Sequence, residues 1–157
     1  MPPEPVFDRI VDLASRLCRA PMACLALIDG ERTCLKASVG LDAAEMPRTW
    51  AFCDHALDSP QALVVADTRS DDRFRSNALF SGEGGVRAYV GVPLVLDDGF
   101  TVGALCVLDD KARAFGAVQI TDLRTLADQI VAELGVRRSL VDLSTRSVVA
   151  AAGQVAG

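Results

Sequence analysis

Aromatic side chains are scarce in this chain, 5% of 157 residues with one Trp and one Tyr. A core must therefore be packed from Ala, Val and Leu, and the composition, half apolar, supplies enough of them for one domain. Histidine is nearly absent, with one residue, and the five cysteines (Cys18, Cys24, Cys34, Cys53, Cys106) form no CxxC pair. A zinc site and a disulfide framework are thereby disfavoured, and most of these cysteines are expected to act as small buried hydrophobes. Positive charge is also in deficit. A net charge of -5 leaves no basic surface to hold a phosphate backbone, which excludes nucleic acid as the expected partner. No apolar run approaches the roughly 20 residues that span a bilayer. The opening MPPEPVFDR is acidic and proline-rich, unlike a secretory leader, so no membrane partner and a cytoplasmic location are expected. Internal repeats and low-complexity linkers are missing too, so nothing divides the chain into several units.

What is present centres on Val86 to Leu108, VRAYVGVPLVLDDGFTVGALCVL. It reads as two long strands, Arg87 to Leu96 and Thr101 to Leu108, joined by Asp97-Asp98-Gly99, whose glycine accepts positive φ. Alternation gives the first strand two faces. Ala88, Val90, Val92, Leu94 and Leu96 form a core face; Arg87, Tyr89, Gly91, Pro93 and Val95 form another, suited to floor a pocket or simply to an irregular strand with a half-buried Tyr. A strand glycine often marks close approach of another group, and a strand proline an edge or a bulge.

Around this hairpin the period of apolar residues changes. Val6, Ile10, Leu13 and Leu17 recur at helical spacing, predicting a helix over 5–19 with that face inward, opened by Pro5 and ended before Pro21. MACLALID (22–29) reads as a central strand and 32–39 as its hairpin partner. Residues 40–49 read as a loop, WAFCDHAL (50–57) as a short helix and ALVVA (62–66) as a short strand. The stretch 69–85 is polar and irregular, anchored by Phe74, Leu79 and Phe80. From Ala117 to at least Val141 the pattern is helical again: Ile120, Leu123, Ala127, Ile130, Leu134 and Val141 keep a three–four alternation. Residues 139–157 are expected to extend this helix or to fray. Strands held mostly in hairpins favour an antiparallel sheet, hence an α+β fold.

Four ordered segments resemble the GAF domain, a small-molecule-sensing relative of PAS domains: WAFCDHAL (50–57), VVADTRSDDRF (64–74), NALFSGEGGVRAYVGVPL (77–94) and VGALCVLDD (102–110). The domain boundary suggested is 1–138. The resemblance implies a central antiparallel sheet of five or six strands, terminal helices on one face, and a pocket on the other closed by the irregular middle. It further implies a sensory or dimerising module in signal transduction, with an unknown small-molecule ligand and a downstream signalling protein as partners. The cofactor, like the ligand, is unknown from the sequence.

Catalysis is not expected. Cys53 and His55 are two apart, on different faces of a helix, and cannot share one ion. The enzyme branch of the family, which reduces free methionine sulfoxide through reactive thiols, is the alternative. It carries a Ser-Glu pair in the strand that here reads AYVGVPL, and no carboxylate lies between Arg87 and Leu96. The bilin-binding branch needs a Cys-His setting, whereas this chain has Cys53-Asp54-His55. Candidates for pocket lining are Trp50, Phe52, Cys53, Phe74, Arg87, Tyr89 and Gly91, with Arg69, Arg73 or Arg87 able to fork onto an anion. Alternatively the aromatics fill the core and the arginines bridge to Asp67, Asp71 or Asp72. A homodimer through the terminal helices is expected, because 25 helical residues span about 37 Å and outrun a sheet roughly 20 Å deep. The dimer helix would carry Ile120, Leu123, Ala127, Ile130, Leu134 and Val141; its apolar side chains beyond about Leu134 would meet a second copy, and Arg137 would lie at the rim or splay to water.

Overall fold

A computed structural model describes residues 3–29, 32–41, 56, 57, 59–75 and 85–156. Its elements are α1 (Pro5–Cys18), β1 (Met22–Asp29), β2 (Arg32–Val39), β3 (Leu63–Val65), β4 (Ala88–Val95), β5 (Thr101–Asp109) and α2 (Ala117–Ala156). The described strands form one sheet in the order β2-β1-β5-β4-β3, antiparallel throughout. The β4–β5 loop is a tight turn: the Gly99 N–H donates to Leu96 O (2.8 Å) and the Leu96 N–H to Phe100 O (2.9 Å). Gly99 takes φ +83°, the left-handed region open to glycine. β3 pairs only with Tyr89 to Gly91, so among the described residues β4 has no partner on that side past Gly91. Pro93 therefore sits where a strand proline is tolerated.

Strand alternation divides the buried residues into two layers. Ala23, Leu25 and Leu27 of β1, Ala88, Val90, Val92 and Leu94 of β4, and Leu105 and Val107 of β5 face α1 and α2. Met22, Cys24, Ala26, Tyr89, Ala104, Cys106 and Leu108 face the other way, with Ala56, Val65, Phe74 and Val86. The alternation expected for β4 is observed from Ala88 to Leu94; the register shifts between Leu94 and Val95, and Arg87 and Leu96 fall outside the strand.

α1 corrects its predicted face. Phe7, Val11, Ala14 and Cys18 are buried on the sheet, whereas Val6, Leu13 and Leu17 are more than a third exposed. Two apolar stripes with the same four–three–four spacing run one residue, or about 100°, apart. The inner one has an aromatic at one end and the small Ala14 and Cys18 at the other, which let the helix approach the sheet. Proline opens α1 after an extended Glu4. Arg19 closes it at φ 51°, with the Arg19 N–H donating to Arg16 O (3.1 Å) and the Ala20 N–H to Ser15 O (3.0 Å).

On α2, Leu123, Ala127 and Ile130 are fully buried against the same layer, and Ile120 and Leu134 pack beside them. Each fully buried Leu or Ile contributes about 1.5–3 kcal/mol. The stripe assigned to a second copy is thus largely used on the chain's own sheet. Val141's side chain lies outside the described residues. Among the described residues of α2, Val118, Val136, Leu140 and Leu143 are exposed to water. The helix continues to Ala156 through the stretch where fraying was one of two expectations.

Where α2 leaves the sheet, Arg137 does not splay to water. Its guanidinium pairs with Glu4 (Nη1 to Oε2, 2.9 Å) and Glu133 (Nε to Oε1, 3.2 Å) and lies 5.0 Å from the Phe7 ring centre. Buried Lys36 reaches the same Glu4 carboxylate at 2.6 Å and sits 5.9 Å from the same ring. Hydrogen bonds from Arg137 and then Lys36 hold Glu4 down at about 2 from an ordinary 4.5.

Candidate functional site

The face of the sheet away from the helices carries a row of small residues. Gly91 stands opposite Cys106, Cys106 opposite Cys24, and Cys24 opposite Ser38. The next row is Pro93, Ala104 and Ala26. Tyr89, Leu108 and Met22 form a bulkier row on the other side. Cys24, Ala26, Ala104 and Cys106 on this floor are fully buried.

Among the described residues Tyr89 is the largest fully buried side chain, and Gly91 is what lets it lie there. The ring runs along its own strand over Gly91: a Cβ at position 91 would lie 2.3 Å from Tyr89 Oη and 2.8 Å from Cζ. The hydroxyl thereby reaches the cross-strand partner of Gly91, with Oη 2.9 Å from Cys106 Sγ. Close approach at this glycine, expected from sequence, is made by the tyrosine two residues before it. Phe74, fully buried, closes the cluster from the 71–75 turn, whose Phe74 N–H donates to Asp71 O at 3.0 Å.

Arg87 stands at the end of β4 rather than over the floor. Its Nε and Nη2 each donate to one oxygen of Asp67 at 3.0 Å, a forked pair about a quarter exposed. The guanidinium of Arg87 in turn holds Asp67 below the usual carboxylate range. Buried Thr68 seals this end: its N–H donates to Arg87 O (2.8 Å) and its hydroxyl to Val86 O (2.9 Å). Arg73 is likewise forked onto Asp71, at 2.9 and 2.7 Å. The arginine–aspartate bridging weighed from sequence is therefore present, and an anion would have to compete with Asp67 for Arg87.

Of the seven pocket candidates, Tyr89, Gly91 and Phe74 share this cluster and Arg87 borders it. Trp50, Phe52 and Cys53 lie outside the described residues. Cys24 and Cys106, central to the floor, were read from sequence only as buried apolar residues. Their juxtaposition depends on the β1–β5 register, which no local pattern carries. Among the described residues no group of three or more His, Cys, Asp or Glu is gathered to hold a metal. No described helix is long and apolar enough to cross a membrane.

A sheet covered by terminal helices on one face, with a second buried cluster on the other, defines a layered α+β domain. The GAF domain family model matches residues 2–134, and the chain belongs to that family. It is 36% identical over 110 residues to a cyclic di-GMP phosphodiesterase of Pseudomonas aeruginosa, a match covering 70% of this chain and 19% of that protein. The fold is similar to that of the GAF domain from an Acinetobacter phosphoenolpyruvate-protein phosphotransferase. There the TM-score is 0.68 at 16% identity, over 87% of this chain and 84% of the other. A GAF domain/HD domain protein from Geobacter sulfurreducens superposes with TM-score 0.63 at 19% identity, over 83% and 92% of the two chains.

Proposed function

We propose that this GAF domain is a non-catalytic sensory module that takes a small molecule on the sheet face floored by Gly91, Cys106, Cys24, Ala104 and Ala26. The observation that carries this reading is that row of small residues, with Tyr89 and Phe74 in the same buried cluster. Tyr89 and Phe74 would bound the ligand, Trp50, Phe52 and Cys53 would complete the lining, and Arg87 would meet an anionic group by exchanging it for Asp67. The site works in the cytoplasm and reports to a downstream signalling protein. The phosphodiesterase relative supports an enzyme output of that kind, of which a GAF region is only a part.

In this reading the signal leaves through the terminal helices of a homodimer. Two exposed apolar stripes favour it: Val6, Leu13 and Leu17 on α1, and Val136, Leu140 and Leu143 on α2. The first is spaced seven and four and the second four and three, so each lies along one helical face. A two-fold contact is the commonest way to cover such a surface. A ligand shifts the helices only if it binds two arrangements unequally.

Native mass spectrometry of the chain purified from its own host tests the ligand. A bound small molecule, displaced by a bulky side chain in Ala104→Phe, is the expected result. An unliganded chain that no metabolite fraction stabilises would overturn the reading. Turnover of free methionine sulfoxide by the wild type would replace it with the reductase alternative.

A further inference from the structure

Cys24 and Cys106 are direct cross-strand partners on β1 and β5. Such partners project to the same face with Cα atoms about 4.5–5.5 Å apart. A disulfide closes without backbone movement over roughly 4.4–6.8 Å. Both residues are thiols here, and both are fully buried in the second cluster. No other two described cysteines are opposed: Cys18 lies in the helix-side layer and Cys34 stands opposite Leu27. A second feature marks the pair, since the Tyr89 hydroxyl is hydrogen-bonded to Cys106 Sγ at 2.9 Å.

We propose that Cys24 and Cys106 form a redox-responsive dithiol that a small peroxide converts to a cross-strand disulfide. This goes beyond the ligand reading and does not depend on it. One sulfur attacks a peroxide oxygen; the O–O bond breaks, a sulfenic acid forms, and the departing oxygen takes up the thiol proton and leaves as water. The second sulfur attacks the sulfenic sulfur; the S–O bond breaks, the S–S bond forms, and a second water leaves with the remaining thiol proton. Two thiols lose two electrons, and one peroxide becomes two waters. Burial selects the oxidant, because hydrogen peroxide is close to water in size and larger disulfides cannot reach the pair. Closing the bond turns Cys106 Sγ toward Cys24 and away from the tyrosine hydroxyl. Tyr89, with its ring over Gly91, then reports the redox state at the floor of the cluster.

The test uses the folded wild-type chain and hydrogen peroxide at a concentration that oxidises free glutathione in the same tube. After quenching, thiols are alkylated in denaturant and the peptides mapped by mass spectrometry. The expected product is lighter by two hydrogens, carries a Cys24–Cys106 linked peptide, and reverts with dithiothreitol. Because Tyr89 is the chain's single tyrosine, a 13Cζ-tyrosine label gives one resonance, which should shift on oxidation and return on reduction. Cys24→Ala should abolish both the linkage and the shift; if that variant does not fold, the wild-type map still decides. Recovery of Cys24 and Cys106 as fully alkylated thiols, or a linkage joining other cysteines, would overturn the proposal.

Discussion

Replacing Gly91 by Ala tests how Tyr89 is held. A β-carbon there would lie 2.3 Å from Tyr89 Oη and 2.9 Å from Cε1, against the 3.4 Å at which ordinary contact begins, so the ring must retreat by about 1.1 Å. Neighbours of a fully buried ring cannot yield that distance freely, and overpacking of this kind costs about 1–3 kcal/mol. Losing the bond to Cys106 adds about 0.5–1.5 kcal/mol. Against this, Ala in a strand is favoured over Gly by about 0.5–1 kcal/mol; Gly91 has no left-handed φ that Ala would strain. The net destabilisation is about 0.5–4 kcal/mol. At about 2–4 °C per kcal/mol for a domain of this length, the melting temperature falls by roughly 1–16 °C. A double-mutant cycle isolates the cause. In a Tyr89→Leu background the side chain no longer reaches over position 91, and Gly91→Ala should become neutral or slightly stabilising. An equal cost in both backgrounds, or none in the wild type, would refute the packing derived above.

Other perturbations address other parts of the molecule. Leu123→Ala removes a fully buried side chain of α2 and should cost about 2–5 kcal/mol, measured by urea denaturation; a change near zero would show that α2 does not rest on the sheet as described. Glu4 has a carboxyl held at about 2 rather than 4.5, so its contribution to stability is complete above the ordinary value and is lost as pH falls from 4.5 toward 2. Glu4→Gln should therefore lower the melting temperature near neutrality and converge with the wild type in strong acid; a gap that stays constant with pH would contradict the pairing to Arg137 and Lys36. Leu140→Glu and Leu143→Glu should convert a sedimenting dimer to a monomer with no loss of melting temperature in the folded domain. A wild type already monomeric at tens of micromolar, where an interface of about 8 kcal/mol is largely formed, would remove the homodimer.

The hairpin from Ala88 to Asp109 was legible because its signals are local: an alternation of period two on either side of Asp-Asp-Gly. α1 was legible as a helix but not in its facing. Val6/Ile10/Leu13/Leu17 and Phe7/Val11/Ala14/Cys18 have identical spacing, and only the sheet decides which of them fits beneath the helix. On α2 the alternation named the right packing residues but not what they pack on, because a stripe covered by the chain's own sheet looks the same as one covered by a second copy. Gly91 and Tyr89 were marked by residue type and by sharing a strand face. Their contact follows from a rotamer that lays the ring along β4, and the Cys106 contact from the β4–β5 register, neither of which the local sequence carries.

Methyl NMR tests directly which face of the sheet receives the ligand. With methyl-labelled protein and a deproteinised extract of host metabolites, the resonances of Ala26, Ala104 and Leu108 report one face. Those of Val90, Val92 and Leu105 report the other. Saturable shifts confined to the first set are predicted, with Gly91→Ala weakening them. Shifts confined to the second set, or none with any extract fraction, would contradict a sensory site on this face.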